Sequence, residues 1–114
     1  MPMAKHFFIT IDDLPIAHGD EPALAFDGES PETLAAQLQA ALREPTLWER
    51  WRDMQDDPDA VDPAGGATDA AATVTGSLAA LRAELQIATT LPHAIVKHRL
   101  DLLIGPHWKL RDVS

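Results

Sequence analysis

The chain has 114 residues, nine Lys plus Arg against eighteen Asp plus Glu, 46% hydrophobic residues and no Cys, which bounds it to one small domain able to bury roughly two thirds of the surface its unfolded chain exposes. Without cysteine, disulfide scaffolds, iron–sulfur clusters, thiolate zinc sites and cysteine nucleophiles drop out. A net charge of -9 argues against a protein that grips phosphate backbones through clustered Lys and Arg, so no nucleic-acid partner is expected and a basic one is favoured.

The first dozen residues hold only a short apolar run, Phe7-Phe8-Ile9, broken by Thr10 and closed by Asp12 and Asp13, so no signal-peptide core is read there. No apolar stretch approaches the roughly 18 to 20 residues that span a bilayer. A cytoplasmic protein with no membrane partner is the expectation, and the excess of Ala, Pro and Arg over Lys suggests a GC-rich bacterial genome. Phe7, Ile9 and Ile11 alternate with His6, Phe8, Thr10 and Asp12, the period of a half-buried strand. Turn formers follow in His18-Gly19-Asp20-Glu21-Pro22, and residues 23–26 are expected to return as a second strand closed by Asp27-Gly28, giving a hairpin.

Ser30 before Pro31 and Glu32 marks a helix start, and Leu34, Leu38 and Leu42 with Ala35 and Ala41 supply its apolar stripe up to Arg43. Glu44-Pro45 breaks it. A second helix is expected from Pro45 through Leu47, Trp48, Trp51 and Met54, ended by Asp56 and Asp57. Residues 55–70 combine five Asp, two Pro after Gln55 and Gly65-Gly66 with one sizeable apolar residue, Val61, and read as a mobile acidic loop. From Thr73 to Leu91 the periodicity fits either a strand, with Leu81, Ala83, Leu85 and Ile87 alternating, or a helix capped by Ser77. The β-branched run near Ile87 tips the reading to strand character over 82–90, paired with 72–79. Pro92 opens a helix whose apolar face is Ile95, Val96, Leu100, Leu103 and Ile104, opposite Lys97, Arg99 and Asp101; Gly105-Pro106 ends it, and 107–113 read as a terminal strand.

The expected architecture is therefore α+β, a small antiparallel sheet with about three helices on one face in the order β-β-α-α-loop-β-β-α-β, with a mostly helical second half as the competing reading. Phe7, Ile9, Ile11, Leu34, Leu38, Leu42, Trp48, Leu85, Ile95, Leu100, Leu103 and Trp108 are the expected core.

Function is less legible than fold. No G-x-S-x-G, phosphate-binding loop, G-x-G-x-x-G or H-E-x-x-H occurs, so neither cofactor nor catalytic residue is assigned. Asp12-Asp13 at a strand end resembles the acid pair of a response-regulator receiver domain, but such a domain needs five βα repeats, and Lys97 falls in a helix here. Asp12, Asp13, His18 and Asp20 are the candidates for a small metal-dependent enzyme or a divalent-ion site. His93 and His98 lie five apart, about 140° around a helix, and do not converge. The aspartates from Asp53 to Asp62 fail the calcium-loop pattern, since Pro58 interrupts and no Glu closes it.

Charge is uneven. Residues 1–70 hold fifteen acids against four bases, a net -11, whereas 71–114 hold three acids against five bases, a net +2. Such asymmetry marks either a binding surface or two halves that attract one another. Trp48 and Trp51, three apart on one helix face, are read first as core fillers and second as a binding hot spot. The favoured function is a protein-binding or regulatory module that engages a basic or amphipathic protein through Trp48, Trp51, Asp56, Asp57 and Asp59. The alternatives are the metal-dependent enzyme and a subunit of a homo-oligomer or larger assembly joined by an edge strand or by the helix after Pro92.

Overall fold

Alternation of apolar side chains sets the sheet. In the computed structural model, which describes residues 4–26, 28, 30–79 and 82–114, strand β1 (Lys5–Ile11) buries Phe7, Ile9 and Ile11 on one face. Strand β3 (Arg82–Thr89) does the same with Ala83, Leu85 and Ile87 while Arg82 and Gln86 face solvent. The strands β2 (Thr73–Ala79) and β4 (Lys109–Val113) complete a four-stranded antiparallel sheet in the order β2-β3-β1-β4. Helices α1 (Pro31–Arg43) and α3 (His93–Ile104) supply the opposing layer, with Leu34, Leu38, Leu42, Val96, Leu100, Leu103 and Ile104 buried in one core with the strands. The short helix α2 (Thr46–Asp53) has its main contacts with α1 and a 3-10 turn at Pro63–Gly66. The connectivity is the β-α-β-β-α-β of the ferredoxin-like arrangement, with α2 and its turns inserted between α1 and β2.

The second half is mixed, as the strand reading of 82–90 expected. Thr73 pairs with Ala88 and Ala79 with Arg82 in an unbroken register. Leu81 and Asp27, which figured in the sequence reading, lie outside the described residues. Ten of the twelve expected core residues are buried; Ile95 and Trp108 are only partly so, packed against the core edge.

The expected hairpin between β1 and residues 23–26 does not form. β1 is already bounded by β3 on one side and β4 on the other, so it has no free edge to offer. Instead the 14–26 segment begins with a 3-10 turn at Leu14–Ile16 and satisfies the end of α3: the amides of Gly19 and Phe26 both donate to the carbonyl of Leu103, at 3.1 and 2.8 Å. Leu14, Ala17, Leu24 and Phe26 then seal the core from that side. Gly19 is required there, because a β-carbon would collide with the carbonyl of Leu102.

Two helix boundaries also differ from expectation. Asp53, not Asp56, ends α2, and the second helix starts at Thr46 with Pro45 as its cap residue. Helix α1 begins as read, with the Ser30 hydroxyl accepting from the Thr33 amide at 3.1 Å. At its other end three orphan carbonyls each find a donor: Ala40 accepts from the Glu44 amide, Ala41 from the Arg99 guanidinium and Leu42 from the Asp69 amide. Arg99 is the main correction to the reading of α3. Expected on the solvent face, it is fully buried.

Candidate functional site

Helix α2 and the acidic segment that follows it form one surface. Trp48 is buried, and its indole lies flat on the Pro63–Gly66 turn, so that a β-carbon at Gly66 would stand 2.7 Å from the ring. The Arg52 guanidinium sits 5.2 Å from the ring centroid of Trp48 and makes a 3.3 Å ion pair with Asp53. Trp51 is half-buried, 6.5 Å from Trp48, and meets the edge of the His98 ring at 4.5 Å. Between α2 and the turns runs a groove of about 330 Å³, walled by Trp48, Arg52, Pro58, Val61 and Pro63 with Asp53 and Asp59 among its polar groups.

Four of the acids on this surface face solvent. Asp56, Asp57, Asp59 and Asp62 are exposed, and among the described residues none of the four enters an ion pair. Asp62 does accept the Ala64 amide at 2.9 Å, which fixes the start of the second turn. Residues 55–70 thus hold two 3-10 turns, Pro58–Ala60 and Pro63–Gly66. They are tied at their far end by Asp69, whose carboxylate accepts from the Thr89 hydroxyl at 2.9 Å and from the amides of Thr90 and Ala71 at 3.0 Å each. A few residues before Asp69, Arg99 donates to the carbonyls of Gly65 and Ala67 at 3.0 and 3.4 Å. Apolar composition alone could not have ordered this segment; hydrogen bonds from elsewhere in the fold do.

The other set of candidates stays apart. Asp12 pairs with Arg82 and Lys109 at 3.4 and 3.2 Å across the strand end. Both ring nitrogens of His18 face main-chain carbonyls, Nδ1 that of Phe26 at 2.6 Å and Nε2 that of Pro15 at 3.0 Å, which clasps the 14–26 segment and leaves neither nitrogen directed at a metal. Asp13 and Asp20 are exposed. Among the described residues no group of three or more His, Asp or Glu converges on a point where a cation could sit. His93 and His98 diverge as the spacing predicted: His93 stacks on Phe7 at 5.8 Å, and His98 packs on Trp51.

Two titrating groups link this surface to pH. The three hydrogen bonds to Asp69, with the Thr90 amide foremost, hold its carboxyl below the ordinary 3.8. Burial holds His98 below its ordinary 6.5, with the charges of Arg99 and Lys97 acting in the same direction and Asp101 opposing. In both cases the unfolded chain binds the proton more readily than the folded one, so stability is complete above the unfolded value and declines as pH falls towards the folded value. The urea midpoint is therefore expected to drop in two stages, below 6.5 through His98 and again below 3.8 through Asp69. His98→Phe, which keeps a ring against Trp51, should abolish the first stage, and Asp69→Asn the second; a midpoint unaffected by His98→Phe across that upper range would refute the assignment.

No protein-family model, curated protein or solved structure matches this chain. Among the described residues no helix is long and apolar enough to cross a membrane. Function therefore has to be argued from the surface itself.

Proposed function

We propose that the protein is a small acidic protein-binding module whose partner is a basic or amphipathic protein, held by the surface of α2 and the 56–62 segment. The observation that supports this reading most is the row of exposed aspartates, Asp56, Asp57, Asp59 and Asp62, without cationic partners among the described residues, beside a groove walled by a tryptophan. Carboxylates gathered on one side repel one another and destabilise the free protein slightly, and a cationic partner removes that cost while steering the encounter. An amphipathic partner would set an apolar residue against Trp48 and half-buried Trp51, since tryptophans in partly desolvated pockets concentrate binding energy.

The test is capture from the source lysate by tagged protein, washed at about 0.1 M and then about 1 M salt, where the screening length falls from about 10 to about 3 Å. The wild type should retain a stoichiometric basic protein that the high-salt wash releases. The triple variant Asp56→Lys, Asp57→Lys, Asp59→Lys should fail to retain it, whereas an equal charge reversal at Glu21, Glu32 and Asp112 should not. Retention indifferent to salt and to the first triple would defeat the electrostatic reading.

A further inference from the structure

We propose that the outer edge of β2 is a self-association surface, on which a second copy of this chain pairs antiparallel and continues the sheet. The sheet ends at β2 and β4, and the two edges differ in kind. β4 reads KLRDV, with Lys109, Arg111 and Asp112 guarding it as charged residues guard the edges of monomeric sheets. β2 reads TVTGSLA, with neither charge nor proline, and is the one strand of the four that carries no Lys, Arg, His, Asp or Glu.

That composition suits a second copy in particular. In a two-fold antiparallel pair each strand meets itself, so any charge near the centre would face its own like, an arrangement that destabilises sheets. The main-chain groups are also in place. The Val74 amide points away from β3 and is taken by Oε1 of Gln39 at 3.1 Å. The alternation of an antiparallel ladder then turns the amides and carbonyls of Gly76 and Leu78 the same way, and among the described residues no side chain bonds to either. A two-fold axis at Ser77 sets Gly76 of one copy opposite Leu78 of the other and makes four main-chain hydrogen bonds.

Side chains agree with that register. Leu78 is 65% exposed, more than any other large hydrophobic residue described. It shares a strand face with Val74 and Gly76, and the Pro31 carbonyl at the start of α1 comes against Gly76 so closely that no β-carbon fits. Leu78 of one copy thus lies opposite Gly76 of the other, where its neighbour is the Pro31 main chain and no side chain at position 76 competes with it. The strong net charge does not oppose this pairing. The acidic segment is tied to the far end of α1, through the Asp69 amide on the Leu42 carbonyl, and a 13-residue helix separates the two ends by about 20 Å, beyond the roughly 8 Å screening length at physiological salt.

Four hydrogen bonds and one pair of leucines make a small interface, so the dimer should be weak. Sedimentation equilibrium up to about 1 mM protein should show the wild type approaching twice the chain mass. Leu78→Lys should raise the dissociation constant roughly tenfold or more, while Val113→Lys on the opposite edge leaves it unchanged. Exchange of the Gly76 and Leu78 amides in the wild type should slow as concentration rises, which tests the pairing without any substitution. A wild type monomeric at the highest concentration, or amide exchange at Gly76 and Leu78 independent of concentration, would overturn the proposal, as would a Leu78→Lys protein that dimerises as the wild type does.

Discussion

Arg99→Ala should destabilise the protein by about 3 to 5 kcal/mol in urea unfolding, the sum of a large truncation in the core and of carbonyls left without donors. Arg99 has 0% exposure, and among the described residues it makes no ion pair. Its donors reach three main-chain carbonyls, Ala41 at 3.4 Å, Gly65 at 3.0 Å and Ala67 at 3.4 Å, and Nδ1 of the neighbouring His98 ring at 3.5 Å. Burial accordingly lowers the pKa of the guanidinium from its ordinary value. A buried cation is costly to desolvate, and what offsets that cost here is the carbonyl end of α1, where the helix dipole favours positive charge, together with three hydrogen bonds. Arg99→Met separates the two contributions. It keeps an unbranched stem and removes every donor, so a loss of about 1 to 3 kcal/mol would measure the orphaned carbonyls. A Met variant as stable as the wild type would mean that the cation's desolvation cancels its bonds.

The effect of that substitution should also be local. Arg99 holds the turn on which Trp48 rests, so amide exchange in residues 58–67 should rise in Arg99→Met more than exchange in β1 and β3, which have their own ladder. For the proposed binding surface Arg99 is a positioning residue. It touches no partner, yet the row of aspartates stands on the segment it secures.

How much of this was legible in sequence depends on the range of the interactions involved. Helix α1 could be read from Ser30, Pro31 and the leucine stripe because its signals lie within one or two turns of the residues they affect, and the alternation in β1 and β3 is local in the same sense. The failed hairpin at 23–26 was decided far away, by β3 and β4 occupying both edges of β1 from some 75 and 100 residues further along the chain. Nothing near Phe26 announces that its amide will serve the end of α3. Arg99 is an intermediate case. It lies three residues after Val96 and four before Leu103, squarely on the buried stripe of α3, so its spacing placed it inside the fold even though its charge suggested solvent. Charge won the reading, and geometry won the fold.

The acidic segment shows the same division. Its composition predicted correctly that Asp56, Asp57 and Asp59 would be exposed, because no apolar neighbours could draw them in. Composition could not show that Gly65 and Gly66 leave room for an indole, or that Asp69 would close the segment on Thr89 and Thr90. Those contacts pair residues 17 to 21 positions apart, and they turn a run of charged and turn-forming residues into a surface with a definite shape.

Leu38→Ala and Leu100→Ala should each cost about 2 to 5 kcal/mol, a large share of the roughly 5 to 15 kcal/mol available to a domain of this size. Both side chains have 0% exposure and belong to the core that α1, α3 and the sheet share. Truncation removes the transfer energy of the lost methyl groups and leaves a cavity that two helices and a sheet, each fixed by its own hydrogen bonds, can collapse only in part. The contrast with Leu78→Ala is diagnostic, because that leucine is 65% exposed and its loss should fall within about 0.5 kcal/mol in the monomer. Urea unfolding of the three variants at a protein concentration low enough to keep the chain monomeric gives the comparison. A cost near zero at both Leu38 and Leu100 would mean that neither helix presents its leucine stripe to the sheet, and with that the placement of Arg99 at the end of α1 would fail as well.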